Sequence, residues 1–162
     1  MGIKHKYGGV YTRKTYKTSK EYVAALKKRA ENLWKKVGKE LHGNECEVQK
    51  YFPQIRVAHT PIIQGEHCIT RANKHFFFDI NNHSSACSTC NMLKKYGKRS
   101  ISRAINEIVR NRNPVWYDEA VRVDQSCAPN IHFSKVWWLE DRVSVLNKKL
   151  NDIREQEIVG SL

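Results

Sequence analysis

Cys87 and Cys90 stand two residues apart in the run 79-DINNHSSACSTCNMLKKYGK-98, with Asn82 five residues before the pair and Asn91 directly after it. That spacing lets two thiolates grip one tetrahedral zinc ion, and a structural site needs two more ligands. In one reading His42 and Cys46, at the exit of a basic helical segment, supply them. His67 and Cys68 are the competing source. The chain has five cysteines, Cys46, Cys68, Cys87, Cys90 and Cys127, and no apolar leader in MGIKHKYGGVYTRK. An odd count without a secretion signal argues against a disulfide framework and for metal ligation. A clip of this kind contributes most to a small domain, because metal binding there is coupled to folding.

The elements that must position these ligands follow from periodicity. In 19-SKEYVAALKKRAENLWKKVGKEL-41, Tyr22, Leu26, Ala30, Leu33, Trp34 and Val37 recur at helical spacing and leave the lysines on the other face, with Ser19 as cap and Gly43-Asn44 as stop. Two β-favouring runs follow, Gln54–Thr60 (QIRVAHT) and His75–Ile80 (HFFFDI), joined by a loop of about fourteen residues containing Pro61 and Gly65. Short helices are predicted from Ser88 to Tyr96, stopped by Gly97, from Ser100 to the Asn113-Pro114 break, and over Pro114–Val123. The last helix, 134–157, carries Val136, Leu139, Val143, Leu146, Leu150 and Ile153 three and four apart. Such a seam packs on its own domain or forms a dimerising coiled coil.

The chain holds 29 Lys and Arg against 16 Asp and Glu, a net charge of +13 over 162 residues. That excess is clustered, as a polyanion-binding protein requires, because each neutralised phosphate releases counterions. Lys27, Lys28, Lys35, Lys36 and Lys39 stripe the first helix, and Lys94, Lys95, Lys98 and Arg99 follow the cysteine pair. Residues 1–17 read as a flexible basic arm in which Tyr7, Tyr11 and Tyr16 alternate with charge, suited to backbone contact and base stacking.

His59 ends the first predicted strand, Asn82 lies in the approach to the cysteine pair, and Asn91 opens the helix after it. This His…Asn…Asn order, with Cys-x-x-Cys just before its last member, resembles the HNH (ββα-metal) endonuclease motif in its His-Asn-Asn form. Within that superfamily the chain is most similar to the NinG/Rap recombination nucleases of lambda-like phages. A basic helix leads to a ligand pair, then to a histidine, then to 78-FDINNHSSACSTCN-91 and to helices ending in a long charged one. The resemblance spans about residues 19–157, its specific motifs only 42–98.

The resemblance implies an α+β fold: a small ββα-metal core with a zinc staple, between N- and C-terminal helices. It divides the chain into the arm (1–17), a nuclease domain with its leading basic helix (18–125) and a C-terminal helix (126–162). It implies a Mg²⁺- or Mn²⁺-dependent DNA endonuclease acting on branched or single-stranded-containing DNA. Homing or restriction-type cleavage of duplex DNA is the enzymatic alternative, and a non-catalytic zinc-stabilised DNA-binding module the other. His59 would be the general base, a role for a neutral imidazole. Asn82 would hold the loop that orients it, and the Asn91 amide oxygen would bind Mg²⁺, a hard ion that prefers oxygen. Zinc would be structural. The partner would be DNA, with a homodimer through the last helix. The chain is expected in the cytoplasm, that of the host cell if it is phage-encoded.

One departure stands out. Many HNH nucleases place Asp or His directly before the base as a second metal ligand, and here that residue is Ala58.

Overall fold

A computed structural model describes residues 18–69, 73–127 and 129–160, so the expected arm, with its tyrosines, lies outside the described residues. The first helix, α1 (Ser19–His42), begins one residue after its cap. Thr18 Oγ1 accepts the Glu21 amide at 3.2 Å while Glu21 Oε2 accepts the Thr18 amide at 3.1 Å. This reciprocal box, rather than the expected Ser19 hydroxyl, satisfies two of the N–H groups that a helix start leaves unpaired. Gly43 ends the helix at φ +78°, a conformation that favours glycine.

The chain falls into two compact units, with the division inside α1 between Leu33 and Trp34. The first unit combines the described start of α1 with residues 131–160, mainly helix α6 (Val136–Gly160). Tyr22, Leu26 and Ala30 are buried on α1, and Leu139, Val143, Leu146, Leu150 and Ile153 on α6. The predicted seam is thus covered within a single chain. Tyr22 donates its hydroxyl to Glu140 at 2.7 Å, and Lys27 donates to Ser134 at 2.9 Å while lying over the Phe133 ring.

The second unit, Trp34–Asn130, contains α2 (Glu47–Tyr51), β1 (Ile63–His67), β2 (His83–Cys87), α3 (Ser88–Lys95), α4 (Arg99–Arg112) and α5 (Pro114–Gln125). β1 and β2 form an antiparallel pair in the register Ile63↔Cys87, Gly65↔Ser85, His67↔His83. The fold is therefore α+β, with helices around a two-stranded sheet. Among the described residues no helix is long and apolar enough to cross a membrane.

The strands are not the ones expected. Gln54–Thr60 is irregular chain whose Ile55 and Val57 pack on the core, and His75–Ile80 belongs to the connection between the strands. The paired segments are instead IQGEH and HSSAC, both poor in β-branched and aromatic residues. Strand propensity mostly measures fit to a half-buried pleated surface, so context overrides it. β2 is buried along its whole length, and Ser84, Ser85 and Ala86 are small enough to let elements close on both of its faces.

Around the hairpin, α4 buries Ile101, Ala104, Ile105, Ile108 and Val109, a stripe at i, i+3, i+4, i+7 and i+8. α5 starts as expected at Pro114, its N-terminus capped by Asn113 Oδ1 accepting the Trp116 amide at 3.1 Å. A charged tie unforeseen from sequence joins α2, β2 and α4. Buried Glu47 accepts from Ser84 Oγ at 3.0 Å and from the Ser85 amide at 2.7 Å, and pairs with Arg112, which also donates to the His83 carbonyl. Loss of Arg112 would leave the buried Glu47 carboxylate without its counter-charge.

Candidate metal centre and the hairpin beside it

Cys46, His59, Cys87 and Cys90 bring one ligand atom each to within 4.8 Å of one another. The Cys46 and Cys90 sulfurs lie 3.8 Å apart, and His59 Nδ1 lies 3.4 Å from the Cys87 sulfur and 3.5 Å from that of Cys90. Donors about 2.3 Å (sulfur) and about 2.0 Å (nitrogen) from a tetrahedral centre stand about 3.8 Å and 3.5 Å from each other. The observed separations therefore fit one zinc ion held by three thiolates and an imidazole.

Local structure explains why these atoms converge. Cys87 is the N-cap of α3, and its sulfur accepts the Cys90 amide at 3.4 Å, so both thiols sit at a helix start that favours negative charge. Cys46 stands at the N-cap position of α2, in the loop after α1, with its thiol making no capping bond. His59 arrives from the irregular segment, whose next residue, Thr60, shares a 2.6 Å hydrogen bond with Ser88. The hydrogen bond between Cys46 and Cys90 holds the Cys46 thiol down at about 4 and pushes that of Cys90 up.

The structure thus brings together three of the four expected zinc ligands and puts His59 in the fourth place. His42 lies elsewhere, at the end of α1, with its ring 5.5 Å from that of His83; burial and then the Arg112 charge lower its pKa to about 4. Neither member of the competing pair joins the group. His67 stacks on Trp34, and the Cys68 thiol donates to Asn106 at 3.2 Å, with burial pushing its pKa up to about 12. Compact spacing exposed the Cys87/Cys90 half of the site, whereas thirteen positions separate Cys46 from His59, and only folding closes that gap.

Asn82 does tie a loop, but the loop follows His67. Fully buried, its Oδ1 accepts the Ile69 amide at 2.6 Å, and its Nδ2 donates to the carbonyls of Ile69 at 3.1 Å and Phe76 at 3.0 Å. The Asn82 carbonyl also accepts the Cys68 amide at 3.0 Å. The chain leaving β1 is therefore pinned within two residues of His67.

His67 itself meets the Phe77 carbonyl through Nε2 at 2.9 Å. A carbonyl only accepts, so Nε2 carries the proton and Nδ1 is the basic nitrogen of the neutral ring. The ring stacks on Trp34 with centroids 4.1 Å apart, and Trp34 in turn donates to the Asp79 carbonyl at 2.7 Å.

Side chains alternate along β1, so Gln64 and Glu66 share the face opposite to that of His67. α3 lies over that face. Asn91 donates to Gln64 at 2.6 Å, and Lys94, one turn on, pairs with Glu66 at 2.8 Å and donates to the His67 carbonyl. No family model, curated protein or solved structure matches this chain. The site is therefore read from its own chemistry.

The pairing of Glu66 with Lys94 was not foreseen from sequence. Asp or His was sought before His59, where Ala58 stands; a carboxylate, that of Glu66, directly precedes His67. Among the basic residues singled out, Lys95, Lys98 and Arg99 are exposed, as are Lys28, Lys35 and Lys36 on α1; Lys27 and Lys94 are engaged within their own units.

Proposed function

We propose that this chain is a Mg²⁺- or Mn²⁺-dependent DNA nuclease of the HNH (ββα-metal) type, with His67, Glu66 and Asn91 as its reactive group and zinc as a staple. The observation that carries the reading is the placement of Glu66 at the end of β1, facing a helix pinned by the Cys/His group, with His67 next along the strand on its other face. β1, the Asn82-tied connection, β2 and α3 supply the strand, loop, strand and helix that the resemblance requires. His59, as a ligand, is not offered as the base.

The donor set suits a hard divalent ion. The Glu66 carboxylate and the Asn91 amide oxygen are oxygen ligands, few enough to leave room for waters and phosphate oxygens. The Lys94 ammonium at Glu66 shows that a cation is already accommodated there. Such an ion would supply stabilisation of charge on the scissile phosphate and the leaving oxygen. The protein does the rest. His67, its Nε2 proton fixed by Phe77, presents Nδ1 as the acceptor for a proton from water. Asn82 keeps the outgoing chain, and with it the ring, in register. Lys95, Lys98 and Arg99 continue from α3 into α4 and offer charge to the phosphate backbone. By the same resemblance the substrate is branched or single-stranded-containing DNA, cut in phage-type recombination or repair.

One observation favours the alternative of a zinc-stabilised DNA-binding module without catalysis: His67 is only 1% exposed. A base must reach water, so the nuclease reading requires the 73–79 connection to move when DNA binds.

The deciding experiment incubates wild type, His67→Ala and His59→Ala with Mg²⁺ or Mn²⁺ and linear, flapped and four-way-junction DNA. Wild type is expected to cut. His67→Ala should bind DNA and keep its zinc without cutting, whereas His59→Ala should lose zinc. Binding without cleavage by wild type under every divalent ion establishes the module. Cleavage of one duplex sequence alone establishes the homing or restriction type.

A further inference from the structure

Lys94 joins Gln64, Glu66 and Asn91 on this face of β1. Its side chain is 13% exposed and that of its partner Glu66 16% exposed, with the ammonium 2.8 Å from Oε1. The ammonium also donates to the main-chain carbonyl of His67. A lysine serving only as a surface contact for phosphate would extend into water, as the exposed Lys95 does. Here the charge is turned inward, onto the carboxylate and carbonyl oxygens that border the proposed base.

We infer that Lys94 is a resident counter-ion of the Glu66 carboxylate, competing with the divalent cation for it. This rests on the nuclease reading and deepens it. Without a divalent ion, the ammonium neutralises a carboxylate that would otherwise be largely buried and uncompensated. The ion must displace Lys94 to gain Glu66, which weakens metal affinity in the DNA-free protein. The displaced ammonium sits on the same helix face as Asn91, where a phosphate bound beside the ion would meet it. Metal, lysine and phosphate thus form one exchange, and substrate makes metal binding more favourable.

The test is Mn²⁺ binding to the zinc-loaded full chain without DNA, followed by electron paramagnetic resonance. Lys94→Met and Lys94→Gln should each bind Mn²⁺ more tightly than wild type, by on the order of tenfold, the worth of one charge-assisted hydrogen bond. Arg103→Met, which removes one exposed positive charge from α4, corrects for net charge and should change the affinity far less. Glu66→Gln should abolish binding. If Glu66→Gln abolishes binding but the Lys94 variants bind no more tightly than Arg103→Met, the counter-ion role is overturned and the metal site stands. If wild type binds no Mn²⁺, or Glu66→Gln binds it like wild type, the metal site itself falls.

Discussion

A Cβ added to Gly38 would lie 2.3 Å from the His83 imidazole, closer than any real contact allows. Gly38 sits inside α1, where glycine is about 1 kcal/mol worse than alanine. The helix keeps this unfavourable residue because β2 presses a ring against it. The ring cannot retreat: a Cβ at Gly65 on β1 would meet it at 2.8 Å, and Trp34 packs edge-on against it with centroids 4.6 Å apart. Gly38→Ala should therefore destabilise the protein by about 2 kcal/mol, the usual cost of overpacking, where propensity alone predicts a gain. Urea denaturation gives the sign directly.

Zinc content separates His59 from His42. Wild type should contain one zinc per chain, and His42→Ala should retain it. His59→Ala should lose affinity by more than the roughly 100-fold that removal of a merely supporting group costs. Elemental analysis gives the stoichiometry, and competition with a coloured chelator the affinity. Equal zinc retention in the two variants would contradict the ligand set.

Asn82→Ala strands two carbonyls and an amide in a site with no exposure. Each buried polar group left unpaired costs about 1–3 kcal/mol, so a loss of about 3 kcal/mol or more is expected. Because the bonds lie on Ile69 and Phe76, hydrogen exchange should rise first between 68 and 82 while zinc remains bound. A loss of zinc before any change in that segment would place the role of Asn82 elsewhere.

Acid should unfold the protein through its buried histidines. Burial, with the neighbouring His42 and His67, lowers the His83 pKa to about 3, and burial with Arg112 lowers that of His42 to about 4. Unfolded histidines titrate near 6.5, so below that pH the unfolded chain binds more protons than the folded one. The stabilisation is complete above pH ~6.5 and is lost as pH falls toward the folded values, by up to about 1.4 kcal/mol per pH unit for each ring. Since the thiolate ligands also protonate in acid, the diagnostic quantity is a difference. His42→Gln should flatten the wild-type stability profile between pH 6.5 and about 4, measured by urea denaturation at a series of pH values.

The helices were legible in the residues alone, because their signals act over three or four positions. The stripe from Tyr22 to Val37, the stop at Gly43, the seam from Leu139 to Ile153 and Pro114 at a helix start all name their own surroundings. So does Cys87-x-x-Cys90, two ligands on one turn. The local sequence even held the cap at Thr18, in reciprocal contact with Glu21, one residue before the serine expected.

What only the tertiary structure decided was non-local. IQGEH and HSSAC pair because the fold buries them together, while the more β-favouring QIRVAHT and HFFFDI find no partner strand among the described residues. Cys46, His59 and the Cys87/Cys90 pair are far apart along the chain, and which histidine completes the group depends on which one the path after α2 delivers. That delivery removes His59 from the proposed chemistry and leaves Glu66 on the face that Asn91 and Lys94 cover, with the His67 ring on the other face of the strand. Spacing shows which residues can act, and closure of long loops, whose outcome no local pattern contains, shows which ones meet.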